Sequence, residues 1–214
     1  MVKLIPTKEE WYSALSERHG EKIQNIFESA TVAICGLGGL GSNIAIALAR
    51  AGIGKLILID FDKVDITNLH RQQYKANQIG MCKTEALQNN LKEINPYLET
   101  KIQTICLDES NAKDVLADAD IICEAFDNAE AKANIVNFVL SEMPDKYIVA
   151  ASGMAGLDSA NLIKTRKVSK RFFLCGDEVS DIKDGIGLVS TRVMLCAAHQ
   201  AHTVLRIIAE EYEV

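Results

Sequence analysis

The sequence has no surplus of positive charge. Its 23 lysines and arginines are outnumbered by 29 aspartates and glutamates, giving a formal net charge of −6. The basic residues are scattered along the chain, so no field draws in a phosphate backbone, and a nucleic-acid partner is not expected. A long apolar run is also missing. No stretch approaches the roughly 20 residues needed to cross a bilayer, and no membrane partner is expected. Residues 1–10 lack the charged start and apolar core of a signal peptide, which leads to the expectation of a cytoplasmic location. Six cysteines occur without a C-x-x-C pair, so neither a disulfide framework nor a four-thiolate zinc site is indicated. There is no collagen-like, coiled-coil or low-complexity stretch, and no linker.

What is present suits a globular protein. Hydrophobic residues make up 48% of the 214 and charged ones 24%, enough to bury one substantial core, so a single domain over residues 1–214 is expected. In residues 7–29, Trp11, Leu15, Ile23, Ile26 and Phe27 recur at mostly helical spacings, predicting one or two amphipathic helices broken near Gly20. Strands are predicted over residues 31–36, 55–60, 100–106, 120–125 and 147–152, with helices over 40–51, 82–94, 110–116 and 129–141 between them. The strands are continuously apolar, the mark of a parallel sheet covered on both faces. Cys35 and Cys123 lie inside these runs, where a thiol packs as a hydrophobe. Strand-like residues 160–164 and 171–175, a polar loop and a long C-terminal helix over about 188–211 complete the chain. The fold class read from this rhythm is α/β, doubly wound.

The run G-L-G-G-L-G-S, residues 36–42, satisfies G-x-G-x-x-G through Gly36, Gly38 and Gly41, and it falls between a strand and a helix. Glycine lets the backbone approach a phosphate closely, and the helix start contributes unpaired N–H groups. Asp60, 24 residues after Gly36, is placed to accept hydrogen bonds from ribose hydroxyls, as in a Rossmann-like nucleotide site. An NAD-binding turn would look the same. The next stretch differs: D-F-D-K-V-D-I-T-N-L-H-R-Q carries Asp60, Asp62, Asp65, Asn68, Arg71 and Gln72 where a dinucleotide fold would move promptly into a helix. Two amides and a guanidinium beside the phosphates suit a triphosphate. G-M-C-K then supplies Lys83 at a helix start, and A-F-D-N supplies Asp127 just beyond the carboxyl end of the fourth strand, the edge where open α/β sheets bind ligands.

In G-L-G-G-L-G-S, D-F-D-x-V-D-x-T-N-L-x-R-Q, G-x-x-K and F-D-N, the sequence resembles the ubiquitin-activating-enzyme-like superfamily that includes ThiF, MoeB and HesA, over residues 31–156. The resemblance implies adenylation by ATP of the C-terminal Gly-Gly carboxylate of a small ubiquitin-like sulfur carrier, with release of pyrophosphate. It also implies roles. Gly38 and Gly39 would line the phosphate loop with Gly36 and Gly41, Asp60 would hold the ribose, Asp62 would also belong to the nucleotide site, and Asn68, Arg71, Gln72 and Lys83 would surround the phosphates. Arg71, Lys83 and Asp127 would be catalytic, with Asp127 holding Mg²⁺. A homodimer is implied as well. The short chain and its M-A-G and L-C-G-D segments look most like the compact ThiF group of thiamine biosynthesis, with a ThiS-like carrier.

The resemblance has gaps. Several members carry a zinc on two C-x-x-C pairs that this chain lacks, so no zinc is expected. Many place an arginine in an R-Y-x-R-Q-like stretch near the N-terminus, where this chain offers Arg18. Some use a cysteine in the loop before the last helix. Residues 179–187 contain none, and Cys175, slightly upstream, is the candidate for sulfur transfer. His199 and His202 form H-x-x-H without a nearby acidic ligand and are read as a helix face, and His70 as loop filler. The last helix places Val193, Ala197, Ala201, Val204 and Ile208 at helical spacing, as core or as a dimer face. Alternatives stay open: MoeB-like activation of a molybdopterin carrier, an NAD-dependent oxidoreductase, or a non-catalytic carrier-binding scaffold. A tRNA-modifying dehydratase is disfavoured by the acidic charge.

Overall fold

A computed structural model describes residues 5–214, so part of the N-terminal stretch read for targeting lies outside the described residues. Two helices lead in. Helix α1, Lys8–His19, starts at a capping box in which Thr7 and Glu10 bond reciprocally, and Gly20 at φ 90° turns the chain into α2, Glu21–Ser29. The alternating series follows: β1 Thr31–Cys35, α3 Gly39–Ala51, β2 Lys55–Ile59, α4 Lys83–Ile94, β3 Glu99–Gln103, α5 Ala112–Val115, β4 Ile121–Glu124, α6 Ala129–Glu142 and β5 Tyr147–Ala151. Strands β6, Lys164–Lys167, and β7, Phe172–Gly176, precede the long α7, Ser190–Ile208.

The seven strands form one sheet in the order β3-β2-β1-β4-β5-β7-β6, parallel except for β6 at the edge. Both β2 and β4 flank β1. The chain steps outward from β1 to β3 and then returns to β4 on the other side, so the sheet switches direction at the carboxyl end of β1, where an open α/β sheet forms its ligand crevice. Side-chain alternation divides the core. Val32, Ile34, Leu56, Leu58 and Cys123 pack with α3, α4 and α7, while Ala33, Cys35, Ile57, Ile59 and Ile122 pack with α5 and α6. Both faces are therefore covered, as the apolar runs predict.

The last helix is shorter than expected at both ends, Ser190–Ile208 against about 188–211, and three further elements depart from the sequence reading. Residues 160–164 were expected as a strand, but Ser159 caps a 3-10 turn at Ala160–Leu162 by accepting from Asn161 N, and the strand begins only at Lys164. The side chain there competes with a ladder for the backbone N–H. Strand β3 stops at Gln103 instead of residue 106, and α5 is a single turn.

Candidate functional site

The glycine run makes a turn that only glycine can make. Gly36 has φ 93°, and a Cβ there would lie 2.8 Å from the Ala125 carbonyl oxygen; a Cβ on Gly41 would lie 1.8 Å from the Gly36 oxygen. Helix α3 begins at Gly39 with no side-chain cap, leaving the N–H groups of its first turn toward the crevice end of β1. The turn is anchored on the β2 side: Leu37 N donates to Asp60 Oδ2 at 2.7 Å, and the buried Tyr74 hydroxyl donates to the Leu37 oxygen at 2.7 Å. Burial, with the nearby Asp60 and Asp62 charges, pushes that phenol well above its ordinary range, so it stays a donor.

The polar insertion folds back onto α3. Asp65 Oδ1 accepts from Thr67, which holds its carboxyl below the usual range, and Asn68 Oδ1 accepts from Asp65 N, together fixing a 3-10 turn at Ile66–Asn68. Asn43 donates to the Gly39 and Arg71 oxygens, and Gln73 donates to Asn43 Oδ1 and, through its N–H, to Ser42 Oγ. These bonds place Gln72 Nε2 3.8 Å from where a Gly38 Cβ would stand, and Arg71 Cγ and Cδ 3.5 Å from that of Gly39. Arg71 Nη1 donates to the Thr67 oxygen at 3.1 Å, whereas Arg71 Nε and Gln72 Oε1 are buried without a partner. Buried polar atoms are ordinarily satisfied, so two orphans beside a glycine turn point to an outside partner. His70 Nδ1 lies 2.8 Å from the Thr67 oxygen, and its Nε2 lies 3.3 Å from both the Leu188 oxygen and Arg71 Nη1.

Lys83 opens α4 and is buried, with Nζ 2.7 Å from Asp62 and 3.9 Å from Asp60. It is not a solvated surface charge. Asp60, also buried, accepts from Leu37 N and from Asp62 N at 2.7 Å each, so it braces the turn as well as facing the crevice. On the other side of β1, the turn after β4 packs against Gly36: a Gly36 Cβ would meet Phe126 Cδ1 at 3.0 Å. Asp127 stands exposed on that turn. Among the described residues no three His, Cys, Asp or Glu side chains converge as a ready metal cage. Of the predicted residues, Asp60, Arg71 and Gln72 lie against the glycine turn, and Lys83 and Asp62 join it through Asp60; the Asn68 side chain is turned to Asp65, and Asp127 follows Phe126 on the neighbouring turn. Arg18 is exposed in the last turn of α1.

The reading of Cys175 as a sulfur-transfer thiol is corrected. It is fully buried on β7 beside Thr165 and Thr203, and burial pushes its thiol up, the opposite of a reactive thiolate. His199 Nδ1 lies 3.0 Å from Thr165 Oγ1, in keeping with a helix-face role. Sequence reasoning passed over Glu124 and Lys132. Glu124 is fully buried at the end of β4 and pairs with Lys132 Nζ at 2.6 Å. The signal was a glutamate closing the apolar run I-I-C-E.

A cavity of about 770 Å³ lies farther along the same edge, lined in part by Leu157, Lys164, Thr165, Asp177 and Val179. Asp177 accepts from Val179 N, Ser180 N and Ser180 Oγ, and it forms an ion pair with the buried Arg192, which also donates to the Asp158 and Ser159 oxygens.

The model of the ThiF family matches residues 12–214. The chain belongs to the ThiF family. Among its relatives, the adenylyltransferase and sulfurtransferase MOCS3 of Caenorhabditis briggsae is 36% identical over 119 residues, 55% of this chain and 30% of that protein. The tRNA threonylcarbamoyladenosine dehydratase of Haemophilus influenzae is 32% identical over 143 residues, 66% of this chain and 54% of that protein. The ThiF-family chain thus spans between about a third and a half of these two relatives. The E. coli tRNA threonylcarbamoyladenosine dehydratase, solved in complex with ATP, superposes with a TM-score of 0.85 over 97% of this chain and 98% of that one, at 20% identity. The two share a fold.

Proposed function

We propose that the chain binds ATP with Mg²⁺ at the glycine turn and adenylates the C-terminal Gly-Gly carboxylate of a small ubiquitin-like sulfur carrier of the ThiS type, in thiamine biosynthesis. The observation that carries this reading is the loop between β2 and α4. Where a dinucleotide enzyme would run into a helix, this chain lays Arg71 and Gln72, with unpaired buried atoms, against Gly38 and Gly39. An NAD-dependent reading leaves them unexplained.

The residues fit a triphosphate. The glycines leave room for phosphate oxygens at the start of α3, and Asp60 retains lone-pair sites for ribose hydroxyls beyond the two bonds it accepts. Asp127 would hold Mg²⁺ as a single protein ligand, the remaining sites falling to phosphate and water, and the ion supplies charge neutralisation. The nucleophile needs no base, because a carboxylate is ionised at pH 7. One carboxylate oxygen bonds to the α-phosphorus as the bond from that phosphorus to the oxygen bridging toward the β-phosphate breaks. The electron pair leaves with pyrophosphate. The turn aligns the reacting groups, while Arg71 and Lys83 stabilise the charge that grows on the leaving oxygens. Lys83, shared in the structure with Asp62, exchanges part of that pairing for phosphate.

The full-length fold match to the E. coli dehydratase favours a second reading, in which the acceptor is a threonylcarbamoyl group on tRNA. The net charge of −6 weighs against it. We place the chain in the cytoplasm as one ATP-binding domain and as a homodimer; the apolar stripe of α7, Val193, Ala197, Ala201 and Val204, is taken up by the core, so a dimer would pair through another face. Exchange of labelled pyrophosphate into ATP, measured with each candidate carrier, tests the proposal. Exchange with a ThiS-like carrier is expected. Exchange with a molybdopterin carrier alone moves the pathway, tRNA-dependent ATP consumption without carrier exchange favours the second reading, and NADH binding in place of ATP sinks both. Asp127→Ala is expected to abolish exchange with the fold intact; wild-type rates at saturating Mg²⁺ would remove the metal assignment.

A further inference from the structure

Glu124 is expensive where it stands. Its side chain is fully buried, and burial pushes its carboxyl above the usual range, where an apolar residue would carry no such penalty. It makes two connections instead. Oε1 accepts from Phe126 N at 2.7 Å, and both oxygens accept from Lys132 Nζ at 2.8 and 2.6 Å. Gln200 of α7 holds the strand end from the opposite side, donating to the backbone oxygens of Glu124 and Val149 at 2.9 and 3.3 Å. Asn128 Oδ1 accepts from Ala131 N and caps α6.

Residues 124–132 are therefore pinned at both ends and in the middle; of the two acidic side chains outside this network, Glu130 lies on the first turn of α6, and Asp127 stands exposed on the turn itself, next to Phe126. The same turn touches Gly36, so its position is coupled to that of the glycine loop. A merely stabilising pair would need no such location.

We propose that Glu124 and Lys132 are positioning residues: their internal ion pair clamps the turn after β4 so that Asp127 stands at the glycine loop, and it thereby sets the affinity for Mg²⁺-bound nucleotide. The proposal rests on the ATP–Mg²⁺ reading above. Neither residue touches the nucleotide; both act through Asp127. Removing the Lys132 charge leaves Glu124 buried and unmatched, and removing the Glu124 charge releases the half-buried Lys132 toward solvent; in either case the turn loses its clamp.

The test is the dissociation constant of ATP by calorimetry, with saturating Mg²⁺ and with a chelator, alongside the melting temperature. Glu124→Gln is expected to weaken ATP binding about tenfold with Mg²⁺ and not at all with the chelator, while Lys132→Arg, which keeps the pair, stays within about threefold of wild type. Combined with Asp127→Ala, Glu124→Gln is expected to cause no further loss of Mg²⁺-dependent affinity, because both act on one ligand. Should Glu124→Gln unfold, the doubly neutral Glu124→Gln/Lys132→Gln variant buries no charge and carries the same comparison. Wild-type Mg²⁺ dependence in these variants, equal weakening with and without the metal, or losses that add to that of Asp127→Ala would each overturn the proposal. A wild-type protein that binds no ATP with Mg²⁺ would overturn the functional reading as well, which separates the two failures.

Discussion

The carboxyl edge of the sheet holds two acidic and basic constellations built on opposite terms. Around β1, glycines leave backbone exposed, Arg71 Nε and Gln72 Oε1 are buried without partners, and Asp127 projects from its turn. Beyond β5 and β7, Asp177 is saturated by three bonds from residues 179 and 180 and by Arg192. A lone orphan does not distinguish them, since Arg192 Nε is also unpartnered. What distinguishes them is the carboxylate. One filled by its own chain holds a loop in place; one left free beside a cradle of glycines is available to something else. A cavity of about 770 Å³ lies at the second constellation, where the carboxylate is already filled by its own chain.

The sharpest break in that comparison is Gly41→Ala. Its Cβ would sit 1.8 Å from the Gly36 oxygen, so the turn must open. Overpacking of this kind costs on the order of 3 kcal/mol, and ATP binding should vanish in a calorimetric titration even where the protein remains folded. Retained nucleotide affinity would detach the glycine turn from the site.

Next come the cations. Arg71→Ala and Lys83→Ala should each lower kcat for carrier-dependent pyrophosphate release on the order of a hundredfold, about 3 kcal/mol of barrier, with a smaller change in the ATP dissociation constant. Rates within about threefold of wild type would return both to a structural role.

The second constellation should answer to acid instead. Burial raises the Asp177 carboxyl, but the bonds from Ser180, Val179 and Arg192 outweigh it and hold it at about 2, against an ordinary 3.8. A group lowered in the folded state stabilises fully above its unfolded value and loses that contribution as pH falls through its folded one, so about 2 kcal/mol should disappear between about pH 4 and pH 2. Asp177→Asn should flatten that part of the denaturation profile; an unchanged profile would show that the pair is not what holds the loop.

The smallest effect is expected at Cys175. With its thiol buried and pushed up, Cys175→Ala should leave carrier adenylation within about twofold and cost about 1 kcal/mol of stability, seen as a modest shift in melting temperature. Loss of a sulfur-transfer product in this variant alone would reopen the correction made above.

Much of the candidate site was legible because a glycine turn and the polar residues after it occupy short, contiguous stretches. A turn that must pass within van der Waals reach of its own backbone requires glycine at Gly36 and Gly41, and a strand–turn–helix shows its periods directly. Residues 160–164 were misread because a local bond from Ser159 to a backbone N–H overrides an apolar pattern, which periodicity does not register. Cys175 was misjudged for a related reason: proximity in sequence to a loop says nothing about which face of β7 the side chain takes.

By itself the sequence determined the β/α alternation, the glycine turn and the set of polar residues around it, since each depends on residues close together in the chain and on their side-chain period. Tertiary structure alone decided that Lys83 is buried between Asp60 and Asp62, that Gln72 and Arg71 face the glycines with atoms unpaired, and that Glu124 grips Lys132 beneath Asp127. Those facts depend on how strands from distant parts of the chain lie side by side. Burial and pairing are set by neighbours in space, and a sequence lists only neighbours along the chain.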